Sequence, residues 1–209
     1  MRDADNESQG LSEIDKMMRE ANSEPSGGAL QFVGELIKIT LVALAIIVPV
    51  RYYLIKPFYV NGASMEPAYY NREYLIIDEL SYRFDPPKRG DVVVFKYPLD
   101  ESQFFIKRII GLPGERVVVA NEEVRVYNAV HPDGVTLEEP YLGEDTVTTD
   151  MSDVTLGADE YFVMGDNRMA SLDSRRFGPL AGGEIVGRAW LRGWPFDRLG
   201  VLGHYEFGF

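Results

Sequence analysis

An apolar segment from Ala29 to Ile55 constrains the fold of this chain more than any other feature, because its side chains must be removed from water. The longest uncharged run within it, Ile39–Val50, has 12 residues, whereas a helix that spans a bilayer needs about 20. The segment reaches that length if Lys38 and Arg51 extend their charged ends towards the two membrane interfaces. We therefore predict a single transmembrane helix over residues 29–56.

Two alternatives exist for this segment: a buried core helix of a soluble domain, and a cleaved signal peptide, whose apolar part has a similar length. The preceding region is long and acidic, which argues against a signal peptide. The small residues Ala43 and Ala45 lie inside the apolar run rather than after it, so they do not mark a cleavage site. The flanking charges give little positive-inside bias and do not orient the segment.

The sequence predicts a mostly β domain over residues 57–209, preceded by a polar tail, residues 1–28, with a short amphipathic helix. Many short β-type runs without long helical patterns are typical of an antiparallel sheet or barrel. Between Arg116 and Asp159 we expect only hairpins and a loop around Leu142–Leu156. The predicted strands are Tyr74–Leu80, Asp91–Tyr97, Phe104–Ile110, Glu115–Ala120, Val124–Asn128, Glu160–Met164 and Glu184–Arg192.

Charge and residue usage exclude several classes of function. A net charge of −12 argues against a nucleic-acid partner. The absence of cysteine excludes a thiol nucleophile, disulfides and thiolate metal sites. The two histidines, His131 and His204, lie in no recognisable catalytic motif, although the sequence alone leaves a Ser-His-Asp triad open.

A serine in a stretch of small residues is the first candidate for catalysis. Ser64 lies between Gly62 and Pro67. Glycine allows a ligand to approach the backbone, and proline interrupts a β ladder, so we expect Ser64 at the end of a short strand. A serine with an accessible hydroxyl and N–H can act as a nucleophile. The alternative is an ordinary polar turn.

A lysine in an apolar β-type run is the second candidate. Phe105, Lys107 and Ile109 alternate, so a strand that buries this face places an ammonium among apolar groups. Desolvation lowers the pKa of a lysine, which is how a lysine becomes a general base. The alternative is an exposed lysine on an edge strand. Arg108 points the other way and is expected to be solvated.

A third stretch, Met164–Gly178, is rich in side chains that rigidify loops; its alternative is a solvated loop between two strands. In order along the chain, the three stretches resemble bacterial type I signal peptidases, and the resemblance extends from Phe58 to about Gly200. The matching residues are Ser64-Met65-Glu66-Pro67, then Arg89–Phe95, then Lys107-Arg108 with Gly111–Glu115, then Gly165-Asp166-Asn167-Arg168 with Ser171, Asp173, Ser174, Arg175 and Gly178.

The resemblance implies a membrane-anchored serine endopeptidase that cleaves the signal peptides of exported preproteins after small residues, in an Ala-x-Ala pattern. It implies a Ser/Lys dyad, no metal and no other cofactor. It also implies a single-pass protein in the lipid bilayer of the cytoplasmic membrane, with the tail inside and the catalytic domain on the outer face.

The resemblance also assigns roles to individual residues. It implies that Ser64 is the nucleophile, that Lys107 is the general base, and that Ser171 orients the lysine amine. Asp173 and Arg175 are expected to form a structural ion pair. Asp166 is expected to join that pair.

One position departs from the family pattern. Many members carry Ser or Thr where this chain has Gly62, and that hydroxyl helps to bind the oxyanion. The second oxyanion donor is therefore open here, and Gly62→Ser is expected to be tolerated.

Apolar residues are expected to line small substrate pockets, with core packing as the alternative. These residues are Phe58, Val60, Met65, Phe105 and Ile106.

Two other functions compete with this reading. A self-cleaving repressor-type Ser/Lys protease would need a DNA-binding helix-turn-helix where this chain has its apolar segment. An inactive membrane-tethered β module that only binds peptides would be favoured by loss of Ser64 or Lys107, and both are present.

Overall fold

The computed structural model describes residues 16–18, 27–53, 55–143 and 146–209, which fall into two units that divide after Pro49. Residues 16–18 are helical, and the rest of the amphipathic helix expected in the tail lies outside the described residues. The predicted division into residues 1–28, 29–56 and 57–209 stays a prediction.

The apolar segment forms one long helix, α1 (Gly27–Tyr53). Within it, Leu30–Val48 has 19 residues and a mean hydropathy of 2.0, so it is long and apolar enough to cross a membrane. None of this stretch is buried, which leaves the alternative of a soluble core helix without support. The helix begins two residues before the predicted start at residue 29 and ends before residue 56.

The described residues that follow form twelve strands, one α-helical turn and four short 3-10 turns, and the mostly β prediction is confirmed. The strands are β1 (Ile55–Tyr59), β2 (Tyr74–Asp78), β3 (Val92–Tyr97), β4 (Asp100–Gly111), β5 (Arg116–Ala120), β6 (Glu123–Tyr127), β7 (Val135–Thr136), β8 (Ser152–Thr155), β9 (Glu160–Met164), β10 (Leu180–Ala181), β11 (Ile185–Trp194) and β12 (Gly200–Val201). The helical turn is α2 (Ser174–Phe177). All strand pairs are antiparallel.

The larger sheet has the order β1-β2-β11-β3-β4-β9-β10, with β12 paired to β11. Strand β3 lies near its centre, and Val92, Val93, Val94 and Phe95 are all at most 2% exposed. Val92 and Val94 pack into one apolar cluster, and Val93 and Phe95 into another. Both faces of the sheet are therefore covered, which explains the unbroken apolar run in the sequence.

The segment between Arg116 and Asp159 is more ordered than the sequence predicted. Strands β7, β6, β5 and β8 form a second sheet in that order. Its core includes Val117, Val126 and Phe162. The sequence prediction was wrong about the loop at Leu142–Leu156, since β8 lies inside it. Alternate residues of β8 are partly buried and the others are exposed, so the strand has only a weak hydrophobic pattern.

Candidate active site

Ser64 lies in the loop between β1 and β2, in a turn rather than at the strand end that the sequence predicted. Gly62 turns the chain with a φ of +113°, a conformation that favours glycine. Its N–H donates a hydrogen bond to Asn71 Oδ1 at 3.0 Å. Met65 is 1% exposed and anchors the turn in the core. Ser64 itself stays half-buried, so its hydroxyl faces the space beside the sheet.

Lys107 lies on β4 at a position that is paired with β3 but not with β9. It stands opposite Val93 on β3, and the first pair between β4 and β9 is Arg108 with Met164. Lys107 is 4% exposed. Its Nζ lies 2.8 Å from Ser64 Oγ and donates to the Ile106 carbonyl at 2.7 Å. The fold therefore brings together two candidate residues that are 43 positions apart in the sequence.

Burial lowers the pKa of Lys107 to about 8, against the opposing effect of the nearby carboxylates of Asp173 and Asp166. Among the described residues, the hydrogen-bonding partners of its amine are neutral oxygens. With this pKa, roughly a tenth of the molecules carry a neutral amine at pH 7. A neutral amine can accept the proton of the Ser64 hydroxyl.

Arg108 is buried and paired, so the expectation of a solvated side chain was wrong. It is 4% exposed, because β4 is covered on both faces. Its Nε and Nη2 donate to Asp166 Oδ1 and Oδ2 at 2.9 and 2.7 Å. Asp166 therefore pairs with Arg108, and the expectation that it joins Asp173 and Arg175 was also wrong.

Asp173 and Arg175 form the expected ion pair, with Nη2 and Oδ2 2.8 Å apart. Asp173 also accepts a hydrogen bond from the Gly165 N–H at 3.0 Å. Burial alone would raise the pKa of Asp173, but the Arg175 guanidinium and the Gly165 N–H bring it below its usual value. Arg175 donates further to the Arg168 carbonyl at 2.8 Å. The pair thereby holds the loop that follows β9.

Ser171 does not bind Lys107, so the predicted hydrogen bond is absent. Its Oγ is buried and lies near Asp173, where it helps to lower the pKa of that carboxyl, although the geometry of a hydrogen bond is not met. Ser171 packs against Gly165, where an added Cβ would collide with Ser171 Oγ and with the Ser64 carbonyl. The Asn167 N–H also donates to the Ser64 carbonyl at 3.0 Å. The third stretch is therefore tied to the serine turn through its backbone.

An apolar cavity of about 290 Å³ lies beside Ser64 and Lys107. Four of the five predicted pocket residues line it: Phe58, Val60, Phe105 and Ile106. The prediction for Met65 was wrong, because its side chain fills the core beneath. The sequence analysis missed other hydrophobic lining residues, which are Tyr59, Ala63, Leu75, Val94, Phe104, Ala170 and Leu172. Phe104 could have been found, since it alternates with Ile106 on β4.

Comparison with known proteins decides the family. A family model described as "Signal peptidase, peptidase S26" matches residues 33–194. The chain belongs to this signal peptidase family. Membership identifies it as a serine endopeptidase and confirms the resemblance seen in the sequence.

Curated signal peptidases are similar over most of their length. The chain is 35% identical over 192 residues to probable signal peptidase I-1 of Synechocystis sp., covering 88% of this chain and 94% of that protein. It is 35% identical over 173 residues to signal peptidase I P of Bacillus subtilis subsp. natto, covering 78% and 90%. A crystal structure of a signal peptidase I from Enterococcus faecalis V583 is 30% identical, with a TM-score of 0.42, and covers 50% of this chain and 97% of that chain.

In this signal peptidase family member, the Gly62 N–H is already bonded to Asn71, so it does not serve as the second oxyanion donor in this conformation. The Ser64 N–H has no backbone acceptor among the described residues. In the described ranges, no three His, Asp or Glu side chains are placed to share a metal ion. The groups that meet at the site are a hydroxyl, an amine and backbone N–H groups.

Proposed function

We propose that this chain is a membrane-anchored Ser/Lys endopeptidase that removes signal peptides from exported preproteins. The observation that carries the proposal is the 2.8 Å contact between Ser64 Oγ and the buried Nζ of Lys107. A serine hydroxyl needs a base within hydrogen-bond reach, and a lysine can serve only when it is neutral. Burial supplies that condition, since it lowers the pKa of Lys107 to about 8.

The proposed reaction has two halves. Neutral Lys107 accepts the hydroxyl proton of Ser64 while Oγ bonds to the carbonyl carbon of the scissile peptide. The resulting ammonium returns its proton to the amine of the leaving chain, and an acyl-enzyme remains. Lys107 then takes a proton from water, which attacks the ester carbon, and the ammonium returns that proton to Ser64 Oγ as the ester C–O bond breaks. In this account the Ser64 N–H donates to the developing oxyanion.

The edge of β4 and the cavity beside Ser64 support the binding of an extended peptide. One edge of β4 pairs with β3. The other edge pairs with β9 only from Arg108 onwards, so the residues of β4 before Arg108 are not paired with β9. An extended peptide can add to such an edge. Alternate side chains of that peptide would point the same way, so the first and third residues before the cut would both face the apolar cavity. Both side chains would share one cavity of about 290 Å³, and the preference for small residues itself is implied by the resemblance to signal peptidases.

The apolar helix supports the membrane part of the proposal. Leu30–Val48 would cross the cytoplasmic membrane once, with the β domain on the outer face. The relatives named as signal peptidases act on signal peptides, which themselves contain apolar segments. A single anchor would hold the catalytic domain next to a bilayer that contains its substrate.

Processing of a preprotein in detergent tests the proposal. The full chain is incubated with a preprotein that carries an Ala-x-Ala site and with variants bearing large residues at either alanine. We expect cleavage only of the Ala-x-Ala form, and none by Ser64→Ala. Ser152→Ala is the matched control, because that serine lies on β8 in the second sheet. Peptide binding without cleavage by the wild type would instead favour the inactive binding module.

A further inference from the structure

Tyr141 lies between two buried ion pairs. The centre of the Arg108 guanidinium lies 4.1 Å from the centroid of its ring, a cation–π contact. Its hydroxyl donates to Glu139 Oε1 at 2.5 Å. Glu139 in turn accepts two hydrogen bonds from Arg168, whose side chain is 1% exposed. One tyrosine therefore contacts both the Arg108–Asp166 pair and the Arg168–Glu139 pair.

An aromatic segment, Tyr205–Phe209, covers Tyr141 from the other side. The rings of Tyr205 and Phe207 pack edge-on against Tyr141, with centroids 5.2 and 6.2 Å away. The Tyr205 carbonyl also lies against Gly90, whose own carbonyl accepts a hydrogen bond from Arg108 Nη1 at 3.0 Å. The segment thus closes the site around Arg108.

The enclosure of Arg108 affects the balance of charges near Lys107. Asp166 lies between Gly165 and Asn167, which both contact the Ser64 carbonyl, and its partner Arg108 follows Lys107 directly on β4. The carboxylates of Asp173 and Asp166 both favour the charged form of Lys107, and each is held by an arginine. Arg175 pairs with Asp173, and Arg108 pairs with Asp166. Burial raises the pKa of Asp166, and the Arg108 guanidinium opposes that effect. If Arg108 moved away and water entered the gap, the Asp166 carboxylate would stay charged without its partner and would favour the ammonium form of Lys107.

We propose that Tyr141, covered by the aromatic segment Tyr205–Phe209, is a positioning residue for the reaction. It fixes Arg108 on Asp166, and so keeps that carboxylate from stabilising the protonated amine of Lys107. This inference rests on the proposed function, in which Lys107 is the general base.

The test is the pH dependence of kcat/KM for the full-length protein in detergent, from about pH 6 to about pH 11. Tyr141→Leu removes the ring, whereas Tyr141→Phe keeps the ring and removes only the hydroxyl. Tyr127→Leu is the matched control. Its ring also faces an arginine, Arg116, at 5.2 Å, but that arginine pairs with Asp153 at an exposed site on the second sheet.

We expect Tyr141→Leu to move the acid limb to higher pH, with about tenfold lower activity at neutral pH for each pH unit of displacement. Its activity should approach that of the wild type at high pH. Tyr141→Phe and Tyr127→Leu should keep the wild-type limb. A uniform loss at every pH, with the limb unmoved, would overturn the inference and leave Tyr141 a purely structural residue.

Two further results keep the test decisive. If Tyr141→Leu does not fold, Phe207→Leu loosens the cover while leaving Tyr141 in place, and the same displacement is expected, with an unmoved limb contradicting the inference. If instead the wild-type limb lies at the pKa of a free lysine, the proposed function itself fails. If the wild-type acid limb lies well below the pKa of a free lysine and the limb of the variant does not move, only the proposed role of Tyr141 is contradicted.

Discussion

Asp173 and Arg175 form an ion pair 2.8 Å long in which neither side chain is exposed to solvent. The pair is local in sequence, but Asp173 also reaches back to the Gly165 N–H and Arg175 to the Thr149 carbonyl. It therefore fixes the loop whose Asn167 N–H holds the Ser64 carbonyl. Neither side chain hydrogen-bonds to Ser64 or Lys107, which points to a structural role.

Arg175→Ala is expected to lower the unfolding free energy by about 3–5 kcal/mol, because it leaves a buried carboxylate without its partner. Activity should fall with stability. Arg116→Ala, which breaks an exposed pair with Asp153, should change stability little. Chemical denaturation and processing assays of both variants check this. Loss of activity by Arg175→Ala without loss of stability would indicate a direct role in the reaction.

The same pair predicts how the wild type responds to acid. The pKa of Asp173 is lowered in the folded state, so its pairing contributes stability above the unfolded value of about 3.9. That contribution is lost as the pH falls through the lower folded pKa. The stability difference between wild type and Asp173→Asn should therefore be constant above about pH 5 and shrink below about pH 4. Denaturation curves across this range measure it.

Gly62→Ser is expected to lower both stability and turnover, contrary to what the family resemblance suggested. A side chain there would meet no atom within 4 Å, so the cost is the backbone strain of a φ of +113°. Strain of this kind costs about 1–3 kcal/mol. Gly183→Ser is the control, since that glycine is equally open but has no left-handed φ. Equal behaviour of the two variants would show that the Gly62 turn adapts to a side chain.

Lys107→Met is expected to make the protein more stable at neutral pH while abolishing activity. Folding lowers the pKa of Lys107 from 10.5 to about 8, which corresponds to a cost of roughly 3 kcal/mol for burying the charged form. The unfolded chain binds more protons between these values, so wild-type stability should rise with pH there. The advantage of methionine should therefore shrink between about pH 8 and pH 10.5. An advantage independent of pH would contradict the desolvation of this lysine.

The sequence predicted the strands that carry strong apolar patterns. Strand β9 was predicted with its observed ends, and β3 and β4 differ only at their ends, because most of their apolar residues are β-branched or aromatic. Strand β8 was missed, because Val154 is the only apolar residue in Ser152–Thr155. Pairing and burial of the second sheet depend on contacts between distant segments, which no local pattern shows.

In the candidate site, sequence reasoning found the residues but not all of their partners. The alternation around Lys107 correctly predicted a buried amine. The same alternation placed Arg108 in solvent, and that failed because the opposite face of β4 is covered too. Its partner Asp166 is 58 residues away, so only the fold could reveal the pair. Tyr141 lies in a stretch without any motif and carried no signal in the sequence.

The most direct test of the central claim is the pH dependence of kcat/KM for wild type beside Lys107→Arg, with the same preprotein. We expect kcat/KM of the wild type to rise with an acid limb near pH 8, set by the lowered pKa of Lys107. We expect no activity for Lys107→Arg, because a guanidinium keeps its proton. An active arginine variant, or a limb near the free-lysine value of about 10.4, would contradict Lys107 as the general base.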